Sequence, residues 1–338
     1  MNSVVDEVSR PQKPGFGFFA GSTTRSLVGG LSAAAAWSMV AALTAFWPDK
    51  PESDWAYTGH FAAACGALAL ALALGAFAGV RFTVFQRLQR LSPWLFALAL
   101  FLAAWEAATA KLGLLPLPFF PPPQAIVEVV IEDWGRLVAG IFASARLLAT
   151  GYFLGAAAGF VIGVAIGWSR LAGYWIHPIL RFIGPLPATA WLPLAFFVFP
   201  SSFSASIFLI ALATGFPVTV LTWSGVAGVN SAYYDIARTL GATQRFLVLK
   251  VAIPAAMPHV FVGLFMGLGN SFAVLVVAEM LGVKAGLGWY LQWAQGWAAY
   301  ANMYAALLLM AFLCSGLITL LFRLRDRLLS WQKGLVRW

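Results

Sequence analysis

Long apolar runs are the feature of this sequence that most constrains its fold. Residues 61–80 and 93–110 form two such runs, and each is long enough to cross the roughly 30 Å hydrocarbon core of a bilayer as a helix. Neither run shows the period-two alternation of a transmembrane β-barrel strand. Only 10% of the residues are charged and the mean hydropathy is +0.84, whereas about 25% of an ordinary soluble domain is charged. The sequence therefore predicts an all-α, polytopic transmembrane helical bundle.

Basic residues in the connecting segments predict the orientation of this bundle. The positive-inside rule places loops rich in Lys and Arg in the cytoplasm. With the N-terminus inside, sixteen of the 21 basic residues fall in cytoplasmic segments and five fall outside, so both termini are expected in the cytoplasm. The net charge of +9 is thus explained by topology, and no nucleic acid partner is expected. The eight expected spans are about 27–47, 60–80, 92–111, 145–168, 176–199, 205–226, 257–280 and 303–322.

Two segments outside these spans have a distinctive composition. Residues 1–26 lack the short apolar region and cleavage site of a signal peptide, and they are expected to form a cytoplasmic tail. The external stretch 115–123 contains five prolines and is expected to be a stiff extended connection before an amphipathic segment near 125–138.

The longest internal loop, residues 230–254, is predicted to contain two short helices. Asn230 or Ser231 can cap the first helix, whose apolar residues recur every three or four positions, and Gly241 permits the turn that ends it. Thr243 can cap a second helix, and Pro254 is expected to mark its end. Periodicity alone leaves two interpretations open, a helix that binds a partner and a helix that lies on the bilayer or on the protein's own cytoplasmic ends.

The same loop resembles the coupling motif of ABC-importer permeases, in which an EAA triplet is followed by a glycine and then by I-x-L-P. This chain has Asp-Ile-Ala at 235–237, Gly241 and Val-Ala-Ile-Pro at 251–254. The resemblance implies a coupling helix near 231–246 that docks on an ATPase subunit and passes its closure to the membrane helices. The residues that it assigns to ATPase coupling are Tyr233, Asp235, Ile236, Ala237, Arg238, Leu240, Gly241 and Arg245.

Further segments resemble the nitrate, sulfonate, taurine and bicarbonate branch of these permeases. They include LPATAWLPLAFFVF at 186–199 and AEMLGVKAGLGWYL at 278–291, and the resemblance extends over about residues 92–335. It implies a type I ABC-importer permease core of six spans at 92–338. Residues 27–91 would then be an additional N-terminal two-span segment, after the tail at 1–26.

The resemblance also implies a function and a set of partners. The chain would be the non-catalytic permease subunit of an ATP-driven importer in the bacterial inner membrane, moving a small anion from a periplasmic binding protein to the cytoplasm. The expected partners are ABC ATPase subunits, a second permease copy in a homodimer, the binding protein and membrane lipid. The sequence contains no G-x-x-x-x-G-K-[ST] phosphate loop, so ATP and Mg are expected on the partner ATPase, and no cofactor or metal is expected in this chain.

Glycines recur every four residues along the fourth expected span. Glycine at this spacing lets a neighbouring backbone approach closely, and we expect helix packing rather than a pore lining here. The five glycines are Gly151, Gly155, Gly159, Gly163 and Gly167.

Prolines predict that the fifth span is broken at membrane depth. Pro185, Pro187 and Pro193 interrupt it, and irregular backbone at that depth is tolerated where it is buried in protein or lines a cavity. The expected translocation-path residues are Thr189, Trp191, Pro193, Asn270 and Ser271.

Two acidic residues, Glu106 and Glu279, are also placed at membrane depth, where charges usually face the protein interior or water. We expect each to hydrogen-bond a loop, for Glu279 the turn at 286–288, rather than to relay protons or contact substrate.

Two other classes of function would require sequence features different from those of an ABC permease. A secondary transporter should show paired broken helices in two repeated halves, whereas this sequence has one clear broken span and no internal repeat. A membrane-embedded enzyme would need clustered titratable residues, which the sequence does not show.

Overall fold

The computed structural model describes residues 23–50, 55–78 and 89–332, and the regular secondary structure in those residues is helical. A π-helical turn at Ala107–Lys111 extends α3, a 3₁₀ turn at Ala188–Trp191 precedes α7, and a π-helical segment at Leu247–Ala252 joins α10 to α11. The helices are α1 (Thr23–Phe46), α2 (Thr58–Ala78), α3 (Ser92–Glu106), α4 (Pro123–Glu132), α5 (Trp134–Trp168), α6 (Arg170–Ile183), α7 (Leu192–Val198), α8 (Ser202–Ala227), α9 (Ser231–Thr239), α10 (Gln244–Phe246), α11 (Ile253–Leu281), α12 (Leu287–Gly296) and α13 (Tyr300–Leu328).

Seven helices among these residues are long and apolar enough to cross a membrane, and the bent pair of α6 with the 3₁₀ turn and α7 makes an eighth if it is one span. The predicted multi-span helical bundle is therefore confirmed. The predicted tail 1–26 lies outside the described residues except for its last four, which belong to α1.

Two of the predicted boundaries are wrong. The fourth span begins at Trp134 rather than near 145, because the second half of the expected amphipathic segment continues into α5 without a break. The fifth begins at Arg170 rather than near 176, because Ser169 caps α6 by accepting a hydrogen bond from the backbone N–H of Ala172.

The chain divides into two compact units, residues 1–128 and 129–338. In the first, α1 packs against α2 and α3 through small side chains such as Ala33 and Ala99. The indole N–H of Trp37 donates to the Leu95 carbonyl at 3.0 Å, which ties α1 to α3. The sequence assigned α3 to the six-span core at 92–338, and that division stays a prediction.

A buried ion-pair network closes one end of the first unit. The Lys111 ammonium lies 2.7 Å from the Asp49 carboxylate and 3.7 Å from that of Glu106, and it also donates to the Trp47 carbonyl. The Thr44 hydroxyl donates to Glu106 at 2.6 Å. Because both ends of the Lys111–Glu106 pair are fully buried, each charge depends on the others for its solvation. Glu106 thus serves this network, but its hydrogen-bond donor Thr44 lies on α1 and not in a loop as the sequence predicts.

The proline-rich stretch 115–123 differs from its prediction. It contains a turn at 117–119 and a cis peptide bond between Leu117 and Pro118, so it is bent rather than extended. The indole N–H of Trp105 donates to the Pro121 carbonyl and holds the turn against α3. Pro123 then occupies the first position of α4, where its missing N–H costs no helical hydrogen bond.

The second unit is built on α8, which packs between α5 and α11. Its core contains Leu209 and Ile210 of α8, Leu147 of α5 and Leu275 of α11, all of them fully buried. A second cluster joins α12 and α13 to α5 around Leu137 and Tyr290.

Candidate coupling and translocation sites

The exposed helix α9 presents the apolar face that the sequence predicts. The Asn230 side chain caps it by accepting from the Ala232 N–H at 2.9 Å, as expected. Tyr233 and Ile236 are each 61% exposed and Leu240 is 83% exposed, so these three side chains have little cover from the described chain. An apolar stripe that the protein's own surface does not bury is typical of a contact site for a partner.

Tyr234 anchors α9 to the membrane helices, and sequence reasoning did not single it out. Its ring makes an edge contact with Trp168 at the end of α5, with 5.7 Å between centroids. It also packs on the buried side chains of Val226 and Ala256. Burial raises the pKa of the Tyr234 phenol, which therefore stays protonated at neutral pH. Tyr234 follows Tyr233 directly and so points about 100° away from it around the helix, which allows one face of α9 to be docked while the other is free.

The turn after α9 forms as predicted, but the next helix does not end where expected. Gly241 has φ +82°, a conformation that glycine adopts without strain, and Thr243 caps α10 by accepting from the Phe246 N–H. The prediction that Pro254 ends this helix is wrong, because the chain continues into α11 through the π-helical segment. Pro254 lies in the first turn of α11, and the wider turn before it accommodates a residue that has no N–H to donate.

The charged residues of the predicted coupling set are exposed. Asp235 and Arg238 form an ion pair at 3.4 Å on the surface of α9, and exposed pairs of this kind contribute about 0–1 kcal/mol. Arg245 is exposed in α10, and Ala237 is half-buried. The exposed side chains of Asp235, Arg238 and Arg245 are therefore accessible to another protein.

The predicted glycine stripe lies along the contact between α5 and α8. A Cβ at Gly155 would overlap the backbone of Ala211, and a Cβ at Gly159 would lie 2.6 Å from the Gly215 carbonyl oxygen. Side chains of Ile210, Thr222 and Val226 occupy the corresponding space at Gly151, Gly163 and Gly167. The stripe therefore lies in a helix-packing contact and not in an open pore.

The broken span forms one wall of a cavity. α6 ends at Ile183, and the following helical pair, residues 188–198, is bent by 86° from it. Pro185 and Pro187 lie in the break and cannot donate backbone hydrogen bonds. A cavity of about 350 Å³ beside the break is lined by Thr189 and Asn270 among mainly apolar residues.

The other three predicted path residues lie elsewhere. Ser271 is fully buried between α8 and α11, where its hydroxyl contacts that of Thr214 and donates to the Gly267 carbonyl at 2.6 Å. Trp191 packs against the core of the second unit, and its indole N–H has no hydrogen-bond partner among the described residues. Pro193 is exposed in the first turn of α7, where it starts a helix rather than breaking one. The structure thus brings Thr189 and Asn270 together and leaves Ser271, Trp191 and Pro193 outside this cavity.

Glu279 binds the turn that follows α11, as the sequence predicts. One carboxylate oxygen accepts from the Gly288 N–H at 2.8 Å and from the Ser144 hydroxyl at 2.9 Å. Ser144 in turn accepts from the Leu287 N–H at 2.9 Å. Gly286, with φ +118°, lies directly against the carboxylate, and a side chain there would displace it. Glu279 therefore has a structural role at the start of α12.

A second acidic residue, Asp133, fixes α12 and α13 to the start of α5. The Tyr290 hydroxyl donates to Asp133 at 2.6 Å, and the Asn302 amide donates to the same oxygen at 3.1 Å. Burial, followed by this contact with Asp133, raises the pKa of Tyr290, so its phenol remains a donor. Among the residues that the structure describes, no group of three or more His, Cys, Asp or Glu side chains could hold a metal ion.

Comparisons with known proteins agree on one family. Residues 151–333 match the family model described as binding-protein-dependent transport system inner membrane component. A protein of Brucella abortus named as a probable ABC transporter permease is 33% identical over 249 residues, which are 73% of this chain and 98% of that protein. The nitrate import permease protein NrtB of Synechococcus elongatus is 29% identical over 262 residues, 74% of this chain and 91% of NrtB. The bicarbonate transport system permease protein CmpB of the same organism is 30% identical over 212 residues, 61% of this chain and 72% of CmpB.

Proposed function

The chain belongs to the family of binding-protein-dependent transport system inner membrane components, and from this membership we propose that it imports a small anion with energy from ATP. It is an ABC transporter permease, a multi-pass protein of the bacterial inner membrane. In the proposed assembly, two copies of the permease bind ABC ATPase subunits that carry ATP and Mg. A periplasmic binding protein delivers the anion to the outer face.

The exposed apolar face of α9 is the observation that supports ATP coupling most directly. Tyr233, Ile236 and Leu240 lie on one side of a helix whose other side is docked through Tyr234 onto the ends of α5, α8 and α11. A partner that moves α9 would therefore move those membrane helices with it, as a rigid body. The coupling set predicted from the sequence keeps this role as part of the proposal.

The anionic substrate is supported by the names of two relatives, one a nitrate import permease protein and the other a bicarbonate transport system permease protein. Both ions are small, planar oxyanions, and we propose the same substrate class here. We also propose that residues 27–91 are a two-span addition to the core at 92–338. The 249 residues matched by the Brucella protein are 98% of that protein and only 73% of this chain, which fits an additional segment.

Acidic substitutions on α9 test the coupling. Replacing Ile236 and Leu240 together by Asp places two charges on the apolar face, and burying them against a partner without compensation is unfavourable. We expect the ATPase subunit to be lost from the purified assembly and substrate-stimulated ATP hydrolysis to fall to the level of the ATPase alone.

Ser231→Asp is the matched control, because it adds the same side chain at an exposed position of α9 outside the apolar face. We expect this variant to retain the ATPase. If the double variant also co-purified with the ATPase and kept its stimulated hydrolysis, α9 would not be the coupling element.

A further inference from the structure

Arg181 is an isolated and exposed charge in the last turn of α6. Between Arg170 and Asp235 the sequence contains no other Asp, Glu, Lys or Arg. A charged side chain within a membrane span is costly and usually faces a water-filled cavity or a partner of opposite charge. No ion pair of Arg181 occurs in the described part of the chain, so its charge is not neutralised by a carboxylate there.

Two neighbouring contacts give the depth of Arg181 along α8. Four residues before it, the His177 ring lies 4.4 Å from that of Trp223, and three residues after it, Gly184 lies against the Phe216 ring. Helix rise places Trp223 roughly 6 Å and Phe216 roughly 16 Å from the end of α8 at Ala227. Arg181 lies between these levels, so its backbone is on a helix that runs beside α8 rather than in a loop.

Arg181 lines a cavity of about 510 Å³ between α6 and α8. The remaining wall is mainly apolar and includes Leu180, Val220 and Trp223. Of the residues that the structure describes, His177 is the only other titratable residue that lines this cavity, and no carboxylate does. An apolar cavity with one or two convergent polar groups is typical of a site for a small ligand, and here the fixed charge is positive.

This cavity adjoins the one at the broken span. Gly184 and Phe216 line both, so the two spaces meet where α6 ends. The second cavity supplies the hydroxyl of Thr189 and the amide of Asn270. An anion that moves along the break would thus meet neutral hydrogen-bond donors first and a cation afterwards.

We propose that Arg181, with His177 beside it, forms a binding site for a small planar oxyanion in the translocation path. The guanidinium presents parallel N–H donors in a plane, which suits two oxygens of nitrate or bicarbonate, and the His177 ring can donate a further hydrogen bond. The proposal rests on the proposed function and adds to it the residues that bind the substrate.

Transport by the complete assembly tests this site. The permease, its ATPase and the binding protein are reconstituted in liposomes, and uptake of labelled nitrate is measured for wild type, Arg181→Gln, Arg181→Lys and the matched control Arg170→Gln. Arg170 is exposed at the start of the same helix, outside the cavity. We expect R181Q to lower the uptake rate about ten-fold or more, R181K to restore part of it, and R170Q to transport like wild type. Equal rates for R181Q and R170Q would overturn the proposal.

A second measurement keeps the site testable if the wild type moves no nitrate, a result that would count against the proposed function itself. Val220→Cys is introduced into a chain in which Cys65 and Cys314 are replaced by Ala, and its rate of labelling by a thiol reagent is followed as nitrate is added. Nitrate should slow labelling when Arg181 is present and have no effect together with R181Q. If nitrate had no effect on the labelling rate either with Arg181 or with R181Q, the proposed binding site would be wrong.

Anionic lipid is the other source of an oxyanion at this depth, and a long Arg side chain can reach toward headgroups. The uptake comparison is therefore repeated in liposomes of phosphatidylcholine alone. We expect the R181Q defect to persist there. A defect that appears only with anionic lipid would assign Arg181 to a headgroup and overturn the proposal.

Discussion

Glu279 joins three segments of the transport core through one carboxylate oxygen. It stands on α11, accepts from Ser144 on α5 and accepts from the Gly288 N–H at the start of α12. All of these groups are buried, so loss of the carboxylate would leave their donors without partners.

Glu279→Ala should therefore destabilise the permease. Leaving buried donors unsatisfied costs about 1–3 kcal/mol each, and we expect a lower thermal unfolding midpoint and reduced membrane levels. Glu132→Ala removes an exposed acid from the same unit and should change neither quantity. A Glu279→Ala variant as stable as this control would mean that the carboxylate does not hold the turn.

Sequence reasoning recognised both acids and the turn that Glu279 binds, but it did not recognise Ser144 as a partner of Glu279. It placed Glu106 and Glu279 at membrane depth and predicted a contact with the turn at 286–288, which is confirmed. Ser144 lies 135 residues from Glu279, and nothing in its local sequence marks it as a ligand of that carboxylate. The sequence did not single out Arg181, because the isolation of this charge matters only once the cavity beside it is known.

At the scale of elements, the contact of α5 with α8 depends on glycine. The missing side chains let the two helices approach so closely that a Cβ at Gly155 would overlap the Ala211 carbonyl oxygen. Without a hydrophobic driving force between helices in lipid, such close packing is the main source of association.

Gly159→Leu should separate these helices, because even a Cβ at this position would lie 2.6 Å from the Gly215 carbonyl oxygen. We expect the variant to be nearly absent from the membrane fraction. Gly316→Leu makes the same change on α13, where a Cβ meets nothing within 4 Å, and should accumulate normally. Normal levels and transport for Gly159→Leu would show that the stripe is not a packing contact.

Span positions could be predicted because apolar length is a local property of the sequence. The caps at Asn230 and Thr243 and the turn at Gly241 could be predicted for the same reason, since each depends on a few adjacent residues. The continuation of the helix through Pro254 could not be predicted. A π-helical segment changes which carbonyl each N–H binds, and no residue type in the sequence indicates that change. The contact of Ser271 with Thr214 depends on how two distant helices pack.

At the scale of the whole molecule, family membership and the exposed face of α9 support one account, an ATP-driven importer of a small anion. The alternative is a secondary transporter, which is also a bundle of membrane helices but takes its energy from an ion gradient instead of ATP. The dependence of transport on ATP therefore separates the two more directly than any single substitution.

The decisive measurement is the uptake of labelled nitrate by liposomes that contain the permease, its ATPase subunit and the binding protein. We expect nitrate to accumulate when hydrolysable ATP is supplied to the ATPase subunits, and accumulation to stop with a non-hydrolysable analogue. Nitrate uptake that proceeds equally without ATP and follows an imposed ion gradient would contradict ATP-driven import.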